Sequence, residues 1–336
     1  MKAFIVAKYG KSGLRAANVP DPTVGPRDVL VRVSAAGINP LDRMVRNGEF
    51  KLLLNYKTPF VLGHDVAGIV TRAGADVRGF KVGDEVYARP RDLRIGTFAE
   101  YIAIDQDDLA LKPISLTMEE AAAVPLVALA AWQLLVVVAQ VGPGQKVLVH
   151  AGAGGLGSTA IQLAKHLGLF VATTVNGTDV EKVRGLGADE TIDYTKADFA
   201  EFISGYDVVL DSLGGDNLAK SLTVLKPGGL AISVVGPPDA AFAEQVGRPL
   251  LKPVLALMSR KVRARARKLG VHYRFFFMRA DGAQLKTLAA LYDAGALRPV
   301  LDRTFPFDET LDAMAYMEQG RAKGKIVVTM MPHATS

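Results

Sequence analysis

The sequence predicts an α/β protein in which a small barrel-like β domain is followed by a doubly wound parallel sheet. Its 336 residues suggest roughly two domains at about 150 residues each. Short β-rich runs separated by Gly and Pro turns fill the first 120 residues, and strands alternate with helices from about residue 118. A glycine-rich loop at His150–Gly157 joins one strand to one helix, as in nucleotide-binding βαβ units.

Composition excludes several classes of protein and of site. Hydrophobic residues make up 49% and charged residues 22% of the chain, which argues against disordered and fibrous proteins. Cysteine is absent, so disulfides, thiolate-bound zinc and a cysteine nucleophile are impossible. The net charge of +6 is a mild excess that indicates solubility rather than nucleic-acid binding. Because Met1–Tyr9 has no signal-peptide pattern, we expect a cytoplasmic protein without a membrane partner.

The first domain, 1–121, is predicted from short β-rich runs bounded by turn residues. The expected strands are Ala3–Ala7, Val29–Ser34, Gly63–Thr71, Glu85–Ala88 and Gly96–Ile104. Thr117 and Glu120 have capping-box spacing and predict the start of a helix. The apolar stretch Ala121–Val141 is long enough to span a bilayer. However, Pro125 near its start favours a helix buried between two domains.

The second domain, 122–281, is predicted from alternating strands and helices. The expected strands are Lys146–His150, Phe170–Val175, Tyr206–Asp211, Gly229–Val235 and Tyr273–Met278, and the expected helices are Gly155–Leu167 and Val180–Leu186. The last part, 282–336, contains a helix at Ala283–Asp293 and a strand at Lys325–Met331 that returns to the first domain.

The segment from about 237 to 270 fits this alternation poorly and is interpreted as an insertion. It includes Arg260–Lys268, where six of nine residues are basic and none is acidic. Such a run is typical of a nucleic-acid or membrane-surface patch, or of a solvated helix face. We favour the solvated face.

The glycine loop has the spacing of a dinucleotide-binding turn. Gly152 permits a tight turn, Gly154 permits close approach of a pyrophosphate, and Gly157 permits close packing of the helix on the sheet. The next strand tip carries Asn176 and no acid, which favours NADPH over NADH. Asp179, three residues further on, would oppose a 2′-phosphate if it pointed inward.

The chain resembles the zinc-free medium-chain dehydrogenases/reductases of the quinone oxidoreductase (zeta-crystallin-like) group, near their enone and alkenal reductases. The segments that carry the resemblance are Ala36–Asp42, Leu62–Gly68, Phe80–Tyr87, Gly96–Tyr101, Ala151–Gly157, Leu186–Asp189, Ile192–Tyr194 and Gly324–Val327. The resemblance implies a GroES-like substrate domain around a Rossmann domain, an active cleft between them, and a homodimer.

The resemblance also implies roles for individual residues. Asn39 would be catalytic, beside the nicotinamide. The implied cofactor-binding residues are Gly152, Gly154, Gly155, Leu156, Gly157, Asn176, Tyr194, Ser212, Leu213, Val235, Gly236 and Lys325. Zinc-dependent relatives have a Cys and a His-Glu pair where this chain has Asn39 and His64-Asp65, so no metal is expected. The chain also has Ala130 where relatives often have Thr, and Thr178-Asp179 where many have Lys or Arg.

The expected reaction is hydride transfer from NADPH to a quinone or to the C=C bond of an α,β-unsaturated carbonyl, with Asn39 stabilising the developing oxyanion. Two alternatives remain. One is a zinc alcohol dehydrogenase, which the absence of cysteine disfavours. The other is a nucleotide- or nucleic-acid-binding protein with little turnover, which would use Arg260–Lys268.

Overall fold

The computed structural model describes residues 1–330, and contacts within it divide the chain into two units. The first unit consists of Met1–Leu129 and the chain from Arg279 onward, and the second unit consists of Ala130–Met278. The domain boundaries predicted after residues 121 and 281 stay predictions.

Sixteen strands and twelve α-helices are numbered in chain order among these residues. The strands are β1 Lys2–Val6, β2 Leu14–Asn18, β3 Asp28–Ile38, β4 Phe60–Val61, β5 Asp65–Ala73, β6 Glu85–Ala88, β7 Tyr101–Asp105, β8 Leu109–Leu111, β9 Lys146–Val149, β10 Phe170–Val175, β11 Glu190–Asp193, β12 Tyr206–Asp211, β13 Leu225–Ser233, β14 His272–Phe275, β15 Leu301–Pro306 and β16 Lys325–Thr329. The helices are α1 Pro40–Asn47, α2 Met118–Ala123, α3 Pro125–Trp132, α4 Gly155–His166, α5 Val180–Arg184, α6 Phe199–Phe202, α7 Gly215–Ser221, α8 Ala240–Gln245, α9 Lys252–Met258, α10 Arg260–Lys268, α11 Gly282–Asp293 and α12 Thr310–Glu318.

The first unit is built around a mixed sheet of seven strands in the order β15-β16-β3-β5-β6-β8, with β7 paired to β3. A second sheet has the order β2-β1-β4. The returning strand is confirmed over Lys325–Thr329, because β16 pairs antiparallel with β3 and places Val327 opposite Gly37. Its predicted last residue, Met331, lies outside the described residues. The strand expected from Gly96 begins only at Tyr101, since Gly96 has a φ of 141° and lies in a loop.

The predicted start of α2 is confirmed, but the single helix expected over Ala121–Val141 is wrong. Thr117 and Glu120 form the capping box. The apolar stretch is divided into α2, α3 and a π-helical segment, Gln133–Val138. Pro125 is the first residue of α3, a position where its missing N–H is tolerated, and it ends the helix before it. Within residues 1–330, no helix is long and apolar enough to cross a membrane.

The second unit contains the predicted parallel sheet. Its six strands have the order β11-β10-β9-β12-β13-β14, and every neighbouring pair is parallel. This is a doubly wound order: β10 and β11 are added on one side of β9, and β12, β13 and β14 on the other side. In such sheets ligands bind at the carboxyl ends of the strands, where the order of addition reverses. The α/β fold class predicted from the sequence is therefore confirmed.

The segment from about 237 to 270, which is interpreted as an insertion, contains three α-helices between β13 and β14. Because β13 and β14 are parallel neighbours, α8, α9 and α10 make up the connection between them. The six basic side chains of α10 are all exposed, which fits a solvated face and a surface patch alike. The aromatic run after it is buried, with Phe242 in contact with Phe275 and Phe277 at ring-centroid distances of 4.9 and 5.1 Å.

Candidate active site

Two glycines of the loop between β9 and α4 occupy positions that have no room for a side chain. A Cβ atom on Gly157 would lie 2.3 Å from the carbonyl oxygen of Ala151, and one on Gly152 would lie 2.1 Å from Oγ1 of Thr173. Helix α4 can therefore begin directly above the tip of β9. Gly154 differs, because its Cβ would meet only the Ala151 oxygen at 3.3 Å.

The N-terminus of α4 is free to bind an anion. The first helical hydrogen bond is donated by the Ser158 N–H to the Gly154 oxygen at 2.9 Å. The N–H groups of Gly155, Leu156 and Gly157 precede that bond and have no carbonyl one turn back in the helix. Residues Ala153 to Leu156 are partly exposed. This arrangement, on a helix of twelve residues, fits the pyrophosphate of a dinucleotide.

Asn176 and Tyr194 come together at the tips of β10 and β11. The Tyr194 N–H donates to the Val175 oxygen at 3.2 Å, so the two residues follow directly paired strand ends. The side chain of Tyr194 is exposed. Asn176 caps a short 3₁₀ turn, with Oδ1 accepting from the Thr178 N–H at 3.1 Å. Asp179, whose charge was expected to oppose a phosphate, is buried.

The residues predicted to hold the nicotinamide half lie at the tips of β12 and β13. Ser212 and Leu213 follow β12, and the Leu213 N–H donates to Asp211 Oδ1 at 3.2 Å. Gly236 follows β13, and its N–H donates to Ser233 Oγ at 2.7 Å. Leu213 and Val235 both expose their side chains. All cofactor-binding residues predicted in the second unit thus lie at the carboxyl edge of one parallel sheet.

His150 is a residue of this edge whose role the sequence analysis missed. Its Nδ1 lies 3.0 Å from Thr174 Oγ1 and its Nε2 lies 2.9 Å from Ser221 Oγ, which joins β9, β10 and α7. Burial lowers the pKa of His150 to about 4, although the nearby charge of Asp211 acts in the opposite direction. The imidazole is therefore neutral near pH 7. The signal in the sequence was a polar residue at the end of a buried strand, immediately before the glycine loop.

The first unit contains a buried polar cluster formed by Asn39, Asp65 and Lys325. The Lys325 ammonium lies 3.2 Å from Asp65 Oδ2 and donates to Asn39 Oδ1. Asn39 Nδ2 donates to the same Asp65 oxygen at 2.9 Å, and its other acceptor, the Gly37 oxygen, is 3.4 Å away. The Leu126 N–H donates to Asp65 Oδ1 at 2.7 Å. Burial raises the pKa of Asp65, while Lys325 and Asn39 act to lower it.

The two predicted residues of the first unit, Asn39 and Lys325, are thus in direct contact. Asn39 follows β3 and Lys325 opens β16, and the antiparallel pairing of these strands brings them together. Their side chains are 1% and 5% exposed, so the ammonium is a buried cation with a buried carboxylate as its partner.

His64 is hydrogen-bonded to a neighbouring carboxylate. Its Nδ1 lies 2.6 Å from Asp42 Oδ1, and both side chains are fully buried. The other oxygen of Asp42 accepts from the Asn39 N–H at 2.7 Å. The His64–Asp42 pair is therefore joined by hydrogen bonds to the cluster of Asn39, Asp65 and Lys325. Within residues 1–330, His64 Nε2 has no hydrogen-bond partner.

These residues do not fit a catalytic zinc ion. The chain has no cysteine to supply thiolates, and the carboxylate of Asp65 already holds the Lys325 ammonium, which would repel a divalent cation. No group of three or more potential ligand side chains lies together in the part of the chain that the structure describes.

Family comparisons agree with both units. Residues 25–114 match the alcohol dehydrogenase GroES-like domain, and residues 186–328 match the zinc-binding dehydrogenase domain. The NAD(P)H oxidoreductase RTN4IP1, mitochondrial, of Mus musculus is 35% identical over 98% of this chain and 89% of its own length. The chain belongs to the medium-chain dehydrogenase/reductase family. The prediction of a GroES-like domain with a Rossmann domain is confirmed.

Two further relatives narrow the subgroup within this family. The chloroplastic NADPH-dependent alkenal/one oxidoreductase of Arabidopsis thaliana is 34% identical over 99% of this chain and 80% of its own length. The solved structure of the quinone oxidoreductase from Coxiella burnetii superposes with a TM-score of 0.85, at 29% identity, covering 98% of this chain and 99% of that one. This medium-chain dehydrogenase/reductase is therefore an NAD(P)H-dependent oxidoreductase, close to the quinone and alkenal/one oxidoreductases. The alternative of a binding protein with little turnover gains no support.

Proposed function

We propose that this oxidoreductase uses NADPH to reduce the C=C bond of an α,β-unsaturated carbonyl compound or a quinone, without a metal. The observation that carries the proposal is the contact of Lys325 with Asn39 and Asp65. By the family resemblance, these are positions of the Cys and the His-Glu pair in zinc-dependent relatives, so a fixed ammonium would take the place of a metal cation. The names of the alkenal/one and quinone oxidoreductase relatives support the same class of acceptor.

The residues at the edge of the second unit's sheet would hold the dinucleotide. The N–H groups of Gly155, Leu156 and Gly157 would bind the pyrophosphate, and the loops after β12 and β13 would flank the nicotinamide. The bound cofactor supplies the hydride from C4 of its nicotinamide ring. The protein's part is to orient that ring and to keep water away from it.

NADPH rather than NADH is the proposed reductant. Asn176, Thr178 and Tyr194 provide polar side chains for a 2′-phosphate at the tips of β10 and β11. The carboxylate beside Gly177, that of Asp193, is paired with Lys196 at 3.6 Å.

Asn39 is the proposed donor to the oxygen of the acceptor. One hydrogen of its amide is held by Asp65 at 2.9 Å, whereas the other faces the Gly37 oxygen at 3.4 Å, which is a weak hydrogen bond. That second N–H can donate a hydrogen bond to a substrate oxygen instead of Gly37 at little cost. Lys325 fixes the amide orientation by donating to Oδ1, and its charge would favour a developing enolate or quinol oxygen. The proton that completes the reaction would come from solvent.

A homodimer is the proposed assembly. Strand β14 is the last strand of the six-stranded sheet, so one of its edges has no partner strand within residues 1–330. Unpaired edges of this kind can be covered by the same edge of a second copy. The cytoplasmic location stays a prediction, and two of the relatives are a mitochondrial and a chloroplastic protein.

The test is the oxidation of NADPH and of NADH by chelator-treated protein, followed at the nicotinamide absorbance. The acceptors are a simple benzoquinone, a short enone and a saturated aldehyde of similar size. Turnover with NADPH and the quinone or enone, but not with the aldehyde, would support the proposal. Turnover with the aldehyde alone, or turnover that needs added zinc, would contradict it.

A further inference from the structure

The connection between β13 and β14 carries an unusual concentration of positive charge. Between Glu244 and Asp281 the sequence contains ten Lys and Arg residues and no acidic residue. Six of these cations lie on the nine residues of α10, and all six are exposed. In the part of the chain that the structure describes, none of the six forms an ion pair. Their charges are therefore available to an external partner.

Large aliphatic side chains are exposed beside these cations. Leu250 is 92%, Val254 53%, Leu257 67% and Met258 54% exposed. Single exposed apolar residues are ordinary, but four within nine positions form a local patch of the kind that marks an interaction site.

Helical spacing aligns the aliphatic and cationic side chains. Only Ser259 separates α9 from α10. The side chains of Leu255, Ser259 and Ala266 are buried, at spacings of four and seven that place them on the inward face.

The solvent-facing side chains form a row of their own. Val254, Leu257, Lys261, Arg265 and Lys268 follow one another at intervals of three or four, so they lie along one line on the side that faces away from the buried residues. We call these five, with Leu250 and Met258, the docking row. Its first half is aliphatic and its second half is cationic.

The chemistry of the docking row identifies its partner. Short helices with aliphatic and basic side chains on one exposed face lie in the interface of a bilayer, where the apolar groups reach the acyl boundary and the cations meet anionic head groups. A nucleic acid would pair its phosphates with the cations, but it would leave the apolar side chains of Leu250 and Leu257 exposed to water. A second copy of the chain would bring two sets of unpaired cations together. We propose that the docking row binds the surface of a membrane containing anionic lipids.

This peripheral membrane site replaces the expectation of a protein without a membrane partner. It goes beyond the proposed reductase activity and does not depend on it. The segment would rest on the surface without crossing the bilayer, because α9 and α10 have only seven and nine residues. Because the docking row lies on the second unit, binding would hold the oxidoreductase at the membrane, where apolar acceptors accumulate.

The test is flotation of the full-length protein with vesicles of phosphatidylcholine, alone or mixed with an equal part of phosphatidylglycerol. The wild type is expected to float with the mixed vesicles only. Lys261→Gln/Arg265→Gln/Lys268→Gln should weaken binding about a hundredfold, at about 1 kcal/mol for each charge near the surface. The matched control Arg260→Gln/Arg263→Gln/Arg267→Gln removes the same charge from the other flank of α10 and should weaken binding less than about tenfold.

A second variant tests the aliphatic half without changing any charge. Leu250→Ser/Val254→Ser/Leu257→Ser should also lose vesicle binding while keeping its circular dichroism spectrum and its size-exclusion volume. If the two charge variants lost the same amount of vesicle affinity, diffuse electrostatic attraction would explain the binding and the proposal would be overturned. The same conclusion would follow if the serine variant bound vesicles as tightly as the wild type. Failure of the wild type to float would overturn it directly. Tighter binding to a single-stranded RNA, or a dimer that dissociates in the serine variant, would assign the surface to a different partner.

Discussion

Lys325 and Asp65 form the ion pair on which the polar cluster of the first unit depends. Because the carboxylate is fully buried, removal of the ammonium leaves an uncompensated charge in the interior. We expect Lys325→Met to lower the free energy of unfolding by about 3–5 kcal/mol. In Asp65→Asn/Lys325→Met most of that loss should be recovered, because no buried charge is left alone. Urea denaturation of both variants is the measurement, and a double variant no more stable than Lys325→Met would contradict the assignment.

Asn39 gives a kinetic prediction. Asn39→Ala removes the proposed donor to the acceptor oxygen and should lower kcat by about a hundredfold. The affinity for NADPH, measured by fluorescence titration, should stay within about twofold, because the proposed dinucleotide site is built from the second unit. An unchanged kcat in Asn39→Ala would exclude Asn39 as the donor.

The individual site residues were predictable to different degrees. Asn39 and Lys325 were named from the family resemblance, but their contact was not predicted, because 286 positions separate them and only the pairing of β16 with β3 joins them. The hydrogen bonds of Asn39 to Asp65 and of His64 to Asp42 depend likewise on contacts between distant strands. His150 was overlooked because a lone histidine at a strand end carries no pattern of its own.

The glycine loop gives a prediction at the level of a structural element. In Gly157→Ala the new Cβ would lie 2.3 Å from the Ala151 oxygen, which forces α4 away from the sheet. We expect a loss of about 1–3 kcal/mol in the free energy of unfolding and weaker NADPH binding. Gly142→Ala is the matched control, because its Cβ would meet no atom within 4 Å. Thermal denaturation and NADPH titration of the pair check this, and identical behaviour of the two variants would refute it.

His150 makes the stability of the second unit dependent on pH. Its folded pKa of about 4 lies below the unfolded value of 6.5, so the unfolded chain takes up a proton first as the pH falls. The stability associated with neutral His150 is complete above about pH 6.5 and is lost towards pH 4, by up to about 3 kcal/mol. His150→Gln should keep hydrogen bonds to Thr174 and Ser221 and show a flatter dependence. The measurement is the free energy of unfolding in urea as a function of pH, for the wild type and for His150→Gln. The same pH dependence in both proteins would contradict this prediction.

Most strands and helices were predicted from local sequence patterns. The predictions that were wrong can be traced to individual residues in the same segments. Strands β6, β10 and β12 have the predicted bounds, because each is a short apolar run between clear turn residues. The apolar stretch after Thr117 failed, because hydrophobicity alone does not report the break at Pro125 or the π-helical turn that follows α3. The return of β16 to the first domain was predicted from a β-rich segment close to the C-terminus. Its pairing with β3 and the register of that pairing could not be predicted.

At the scale of the whole molecule, the fold class followed from the order of elements. Strands that alternate with helices form parallel sheets, and the glycine loop identified β9 as the first strand of the doubly wound unit. The strand order of the first unit could not be derived in the same way, since β3 pairs with three strands from distant parts of the chain. The family resemblance supplied what the local patterns lacked.

The central claim is that hydride passes from NADPH to a carbon of the acceptor's double bond without a metal. The most direct measurement uses NADPH deuterated at the transferable C4 position, chelator-treated protein and a short enone, with the product analysed by mass spectrometry and NMR. We predict one deuterium at the β-carbon of a saturated ketone. Deuterium at the carbinol carbon of an alcohol, or a product without deuterium, would contradict the claim.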